Sequence, residues 1–259
     1  MAAFNLKRQA GNLYNRIKKD EKNDFKNSTE ETPEHLIKNL CPELNNESLS
    51  LLLNMYNLES FEGTESNSLV TIEKTTRISI KQGSMINKIM RSANVNRSLE
   101  IGFAYGFSTI WMIDALMNKA NSHHTAIDPF EKSHWKGVGL KQVEKLNSSV
   151  NFHWESEYSI HSLSKFIQEK KSFDFIFIDG NHRFDDVLID FYLSDQLISP
   201  GGIVAFDDMW MPSIKRVAEY VLSNRSYEII PQNVSNMLVL KKIENDDRKW
   251  DHFVDFKLK

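Results

Sequence analysis

From Arg77 onward, short apolar runs alternate with stretches of helical period, and this alternation leaves few architectures open. Strands are predicted at Ser98–Gly102, Thr125–Asp128, Val150–Trp154, Phe173–Asp179 and Ile203–Asp207, then at Tyr227–Ile230 and Met237–Leu240. Helices are predicted at Ser108–Met117, Gly139–Lys145, Ile160–Lys170, Phe184–Leu197 and Ser213–Leu222, after an entry helix marked by Ile86, Ile89 and Met90. The rhythm implies an α/β fold: a seven-stranded, mostly parallel sheet with helices on both faces. Right-handed crossovers then put a ligand site at the carboxyl ends of the strands. Too few residues separate the last two strands for a crossover helix, so they should form an antiparallel edge hairpin, with Pro231-Gln232-Asn233 as its turn.

Residues 1–76 read as a helical extension or cap, 77–243 as the core and 244–259 as a charged tail whose Trp250, Phe253 and Phe256 can pack back onto the body. In the extension, Leu6, Leu13 and Ile17 make a helical stripe in a polar segment that suits a solvated helix or a docking arm. Thr32 and Pro33 look like a helix start. Leu36, Ile37 and Leu40, then Leu49 and Leu51 to Leu53, suggest two helices, and the segment 61–68 a loop. These helices are candidates for a homo-oligomer contact. No apolar run is long enough for a membrane span, and the N-terminus lacks a signal-peptide core. Cys41 is the only cysteine, so no internal disulfide forms, and a cytoplasmic enzyme is the simple reading. A net charge of −3 argues against a nucleic-acid partner.

Chemistry concentrates where two strands end. Phe173–Asp179 closes on an acid with His182 three positions on, and Ile203–Asp207 closes on the pair Asp207-Asp208. Neighbouring strands lie about 4.8 Å apart, so three carboxylates and an imidazole can converge at one sheet edge. Three carboxylates close together resist full ionisation unless a cation is present. All-oxygen donors suit Mg²⁺, Mn²⁺ or Ca²⁺ better than zinc. The bland alternative has Asp207 or Asp208 capping the helix near Pro212-Ser213. His182 is the candidate base, since imidazole titrates near neutrality; Asn181 has no basic group. His123-His124 reads as a loop pair before a strand, and His153 and His161 lack carboxylate partners at ligand spacing. Trp135 and Met209-Trp210-Met211 are candidate walls of an acceptor pocket.

The first strand end, Leu99-Glu100-Ile101-Gly102 followed by Gly106, Ser108 and Thr109, is a strand, a tight glycine loop and a helix start. Ser108 or Thr109 can cap that helix. The dinucleotide pattern G-x-G-x-x-G is absent. Glu100 would repel a pyrophosphate but tolerate a cationic ligand such as S-adenosylmethionine, which carries a sulfonium and an ammonium and no phosphate. Asp128 ends the second strand, where a carboxylate can accept from a ribose diol, unless it is only a turn residue before Pro129. Tyr158-Ser159 follows the third strand, where an adenine would lie.

The ordered set Leu99-Glu100-Ile101-Gly102, Ile127-Asp128-Pro129, Phe177-Ile178-Asp179-Gly180-Asn181-His182, Ser199-Pro200-Gly201-Gly202 and Asp207-Asp208 resembles class I S-adenosylmethionine-dependent methyltransferases over roughly residues 77–243. It looks closest to the metal-dependent O-methyltransferases of macrolide and aminocoumarin sugars, with catechol O-methyltransferase more distant. The resemblance implies a Rossmann-like fold. It implies S-adenosylmethionine across Glu100, Gly102, Ser108, Asp128, Tyr158, Ser159 and Asp179. It also implies Mg²⁺ on Asp179, Asp207 and Asp208, and His182 as the group that takes the acceptor's hydroxyl proton. Some relatives have a second acid where this chain has Asn181, and they are poorer models for it. The acceptor would be a small hydroxyl-bearing molecule, sugar or phenol-like. A metal-independent N- or carboxyl-methyltransferase, a silent S-adenosylmethionine-binding scaffold and a nicotinamide-dependent oxidoreductase are the competing readings. Glu100 and the missing third glycine count against the last.

Overall fold

The computed structural model describes residues 31–65 and 69–256. The stripe at Leu6, Leu13 and Ile17 lies outside them. The described residues group as two compact units, one ending at Ser162 and one beginning at Leu163. Their order is α1 (Pro33–Leu40), α2 (Asn46–Asn57), β1 (Ser60–Glu62), β2 (Leu69–Thr71), α3 (Ile80–Ser92), β3 (Arg97–Ile101), α4 (Phe107–Leu116), β4 (His123–Ile127), α5 (Val138–Glu144), β5 (Asn151–Glu155), α6 (Ser159–Gln168), β6 (Phe173–Ile178), α7 (Phe184–Leu197), β7 (Ile198–Phe206), α8 (Pro212–Asn224), β8 (Tyr227–Ile229) and β9 (Leu238–Lys242).

The main sheet runs β5-β4-β3-β6-β7-β9-β8. β3 pairs β4, β4 pairs β5 and β6 pairs β7 in parallel, while β9 runs antiparallel to both β7 and β8. The seven-stranded, mostly parallel Rossmann-like sheet with an antiparallel edge hairpin is therefore present. Two expectations change. The segment 61–68 is not all loop, because β1 and β2 pair as a small antiparallel hairpin. His123 and His124 belong to β4, and His124 is fully buried.

In the first unit every residue of α4 is buried, as expected of a helix that is apolar on all sides. Its single carboxylate, Asp114, must be matched there. Asp114 accepts from Arg91 Nη2 at 2.6 Å, Asn87 Nδ2 at 2.8 Å and the Asn45 amide at 2.9 Å. The last bond ties the α1–α2 turn to the core, so the predicted cap helices are built into this unit. Thr32 caps α1 by accepting from the His35 amide.

In the second unit, Asp195 is buried with Arg225 and Lys242. The Tyr227 hydroxyl donates to it at 2.6 Å, Arg225 Nη2 donates to it, and Lys242 Nζ lies 3.2 Å away. The three donors offset the cost of a buried carboxylate and pin α7 to the edge hairpin. The tail is held through Asn224, which donates to the Val254 carbonyl and accepts its amide. Phe256 packs on Tyr220 with ring centroids 5.7 Å apart. Trp250 does not pack back; it is 98% exposed.

Candidate active site

Strand register explains where the functional side chains stand. Ile101 pairs Ile127, so Gly102 and Asp128 leave their strands side by side. The chain then turns through three left-handed residues, Gly102 (φ 95), Ala104 (φ 45) and Gly106 (φ 81). At Gly106 the left-handed backbone suits glycine, and a Cβ would come within 3.2 Å of Gly139 Cα, a tight approach. Asp128 organises this loop. Its Oδ2 accepts from the Phe103 and Ala104 amides at 3.1 and 2.9 Å, and its Oδ1 from the Phe130 amide at 2.8 Å. A carboxylate offers about four acceptor positions, so capacity for a ribose hydroxyl is left.

Glu100, expected at the cofactor, turns into the core. It is fully buried, and Ser108 and Thr109 donate their hydroxyls to its two oxygens. His124 Nε2 lies 3.4 Å from it, and that ring's Nδ1 is 2.8 Å from Ser98 Oγ. Neither hydroxyl caps α4; its cap is Gly106, with no side-chain bond. Ser108 and Thr109 turn inward instead because the buried acid needs donors.

Beside Asp128, Tyr158 and Phe130 form an exposed edge-to-face pair with centroids 5.9 Å apart. Ser159 begins α6. Trp154 Nε1 donates to the Asp128 carbonyl at 3.0 Å. Trp135 stands edge-on to the buried Tyr105 at 5.0 Å. Sequence reasoning did not single out Glu131. It is fully buried, with Oε1 accepting from the Leu140 amide at 3.0 Å and Oε2 without a hydrogen-bond partner. Burial, with the nearby Asp128 charge adding to it, pushes its pKa up to about 8.

In the second unit, Ile178 pairs Phe206, so Asp179 and Asp207 also emerge side by side, with the Asp207 amide donating to the Ile178 carbonyl at 3.2 Å. Asp179, His182 and Asp208 then converge, their ligand atoms all within 4.8 Å of one another. His182 Nε2 is 3.0 Å from Asp208 Oδ2 and 3.8 Å from Asp179 Oδ1. Asp207 stands outside that group. It is buried, and its Oδ1 accepts from the Asp208 amide at 2.8 Å and from Asn236 Nδ2 at 3.4 Å. Asp208 is left-handed (φ 51), and Trp210 Nε1 and Asn236 Nδ2 fix its Oδ1 at 2.9 and 3.1 Å. Neither acid caps the next helix, whose cap is Met211 without a side-chain bond.

The Asp179 and Asp208 carboxylates push the His182 imidazole up to about 10, overcoming the opposing effect of burial. Burial works to raise Asp208, yet its contacts with His182, Asn236 and Trp210 hold it below the usual range. A proton therefore occupies the cationic role in this cluster, and a divalent ion is the other species that can do so. Two carboxylates and an imidazole fit such an ion chemically. Asn181 donates to Asp186 at 2.7 Å and takes no part. His153, expected to have no acid partner, lies 3.0 Å from Glu155 on the exposed side of β5.

Comparison with known proteins bears on the fold. A family model described as a methyltransferase domain matches residues 99–209. A sequence search of curated proteins finds no match. The fold resembles that of the Bacillus cereus O-methyltransferase solved with S-adenosylhomocysteine (19% identity, 81% of this chain and 96% of that one, TM-score 0.55). It also resembles that of TomG of Streptomyces achromogenes, an O-methyltransferase of tomaymycin synthesis solved with S-adenosylmethionine (17%, 80% and 93%, 0.55). A third similar structure is the Podospora anserina methyltransferase PaMTH1 bound to S-adenosylhomocysteine (13%, 84% and 98%, 0.58). Residues 99–209 thus match a methyltransferase domain, in a chain whose fold is shared with those methyltransferase structures.

Proposed function

We propose that this methyltransferase moves the methyl group of S-adenosylmethionine onto a hydroxyl oxygen of a small molecule, with a divalent ion at the β6–β7 strand ends. The observation that carries this reading is the convergence of Asp179, His182 and Asp208 within 4.8 Å in a chain whose residues 99–209 match a methyltransferase domain. The glycine loop after β3, Asp128 and the Phe130–Tyr158 pair are the groups assigned to the cofactor. Asp128 preorganises the loop by holding its amides, and the two exposed rings offer apolar surface to a purine. Glu100 and Ser108 support the loop from beneath. Asp179 and Asp208 would hold a divalent ion, which would supply Lewis acidity toward the acceptor hydroxyl.

In the reaction the acceptor oxygen gives its proton to solvent water and attacks the methyl carbon. The carbon–sulfur bond breaks, and the sulfonium leaves as the neutral thioether of S-adenosylhomocysteine. The chain's residues act mainly by positioning, an effect worth roughly 7–11 kcal/mol in good intramolecular models. Mg²⁺ was the ion expected from the sequence, on Asp179, Asp207 and Asp208. A sugar or a catechol-like phenol is the acceptor class that the sequence resemblance favours, and the two similar O-methyltransferase structures are in keeping with transfer to oxygen. The lone Cys41 fits a cytoplasmic setting, and among the described residues no helix is long and apolar enough to cross a membrane. The test is release of S-adenosylhomocysteine with catechol or a vicinal-diol sugar as acceptor, with and without chelator. Turnover that needs a divalent ion is expected. Turnover indifferent to chelator would instead favour the metal-independent reading, in which the His182 cation alone balances the two acids.

A further inference from the structure

We propose that His182 is itself a metal ligand, with Asp179 and Asp208. The centre then has a nitrogen–oxygen–oxygen donor set that prefers Mn²⁺, Fe²⁺, Co²⁺ or Zn²⁺ to Mg²⁺, and Asp207 lies outside the coordination sphere. This deepens the metal-assisted reading and rests on it.

Distance is the first argument. Two donors bonded to one ion at about 2.1 Å stand about 3.0 Å apart when adjacent and about 4.2 Å apart when opposite. His182 Nε2 lies 3.0 Å from Asp208 Oδ2 and 3.8 Å from Asp179 Oδ1, and the donor atoms of all three residues fall within 4.8 Å. The two His182 separations fall within that range and suit one shared ion. Direction is the second argument. His182 Nε2 is shielded from solvent and makes no well-formed hydrogen bond, although it lies 3.0 Å from Asp208 Oδ2 and 3.8 Å from Asp179 Oδ1. The nitrogen faces both carboxylates.

The backbone holds it there. Ser213 Oγ donates to the His182 carbonyl at 2.6 Å, tying the residue to the start of α8. Asp208 is equally fixed, by its left-handed backbone and by the Trp210 and Asn236 donors on Oδ1, while Oδ2 is the atom nearest the imidazole. Asp207 points elsewhere: its Oδ1 accepts the Asp208 amide and Asn236, so it shapes the turn that presents Asp208. Donor chemistry completes the case. Mg²⁺ demands near-octahedral oxygen and keeps its waters, whereas imidazole suits the later divalent ions. A nitrogen bound to the ion has no lone pair for a substrate proton, so this assignment removes His182 from the role of base.

The test loads the full-length chain with Mn²⁺ and records its pulsed paramagnetic resonance spectrum. Wild type should show nitrogen coupling to the ion. His182→Ala should lose that coupling and bind Mn²⁺ more weakly by more than the roughly 10–100-fold that an outer partner is worth. His182→Gln, which fills the same space with an oxygen donor, should keep more of the affinity but show no coupling, so a folding failure of the alanine variant is not decisive. Asp207→Asn should retain the coupling. Bound Mn²⁺ without nitrogen coupling in wild type overturns the ligand assignment and leaves an all-oxygen centre standing. Absence of Mn²⁺ binding, together with turnover that survives chelator, overturns the metal reading itself.

Discussion

The strand ends of the two units use the same residue types for opposite purposes. At the β3–β4 end, Glu100 is sealed in and its oxygens are taken by Ser108 and Thr109, while Asp128 is committed largely to backbone amides. At the β6–β7 end, Asp179, His182 and Asp208 are partly exposed, with 20%, 37% and 23% of their side-chain surface open. The difference teaches that an acid at a strand end is not by itself a ligand-binding group. In the first place the acids build and brace a loop. In the second they stay partly open to solvent.

Substitutions can break this contrast. The largest effect is expected from Asp179→Ala, which should remove metal-dependent turnover while S-adenosylmethionine binding and folding persist; activity assays beside a calorimetric titration decide it. Full activity of that variant would dissolve the distinction. Glu100→Ala should act the other way, costing about 3–5 kcal/mol of stability because it leaves buried donors and His124 without their acid, as read from urea unfolding. An unchanged midpoint would mean that Glu100 is not structural. Asp128→Asn should weaken cofactor binding by about 1–3 kcal/mol, since the loop amides lose part of their acceptor, with little change in metal affinity. A variant that instead loses metal would tie the two ends together.

The smallest effect, and the most pH-dependent, is expected from Glu131→Gln. Folding raises the Glu131 pKa from its ordinary 4.5 to about 8. Its protonated form therefore favours the native state fully below about 4.5, and that contribution is lost as the pH climbs through 8. The neutral isostere should match wild type near pH 5 and become relatively more stable toward pH 9 by thermal unfolding. Parallel curves across that range would show that the carboxyl is not held protonated.

Much of this contrast was legible in the residues. The strand-and-helix rhythm located the sheet, because apolar period and length are local properties. The acids at 128, 179, 207 and 208 and the imidazole at 182 could be placed at strand ends for the same reason. What the rhythm does not carry is side-chain direction. Nothing local distinguishes Asp207 from Asp208; the left-handed backbone at 208 and Asn236, from the distant loop before β9, decide which one meets His182. The inward donors of Glu100, which are Ser108, Thr109 and His124, are recognisable only once α4 and β4 are packed. Glu131 sits in a polar stretch, Phe130-Glu131-Lys132-Ser133-His134, whose composition reads as solvated, and only the fold buries it.

The central claim is that cofactor and metal have separate sites at the two pairs of strand ends, and titration calorimetry of S-adenosylmethionine into wild type and Asp179→Ala in chelator tests it most directly. Saturable one-site binding of equal affinity in both proteins is the result the account predicts. No binding at millimolar ligand in either protein, or binding that vanishes with Asp179, would contradict it.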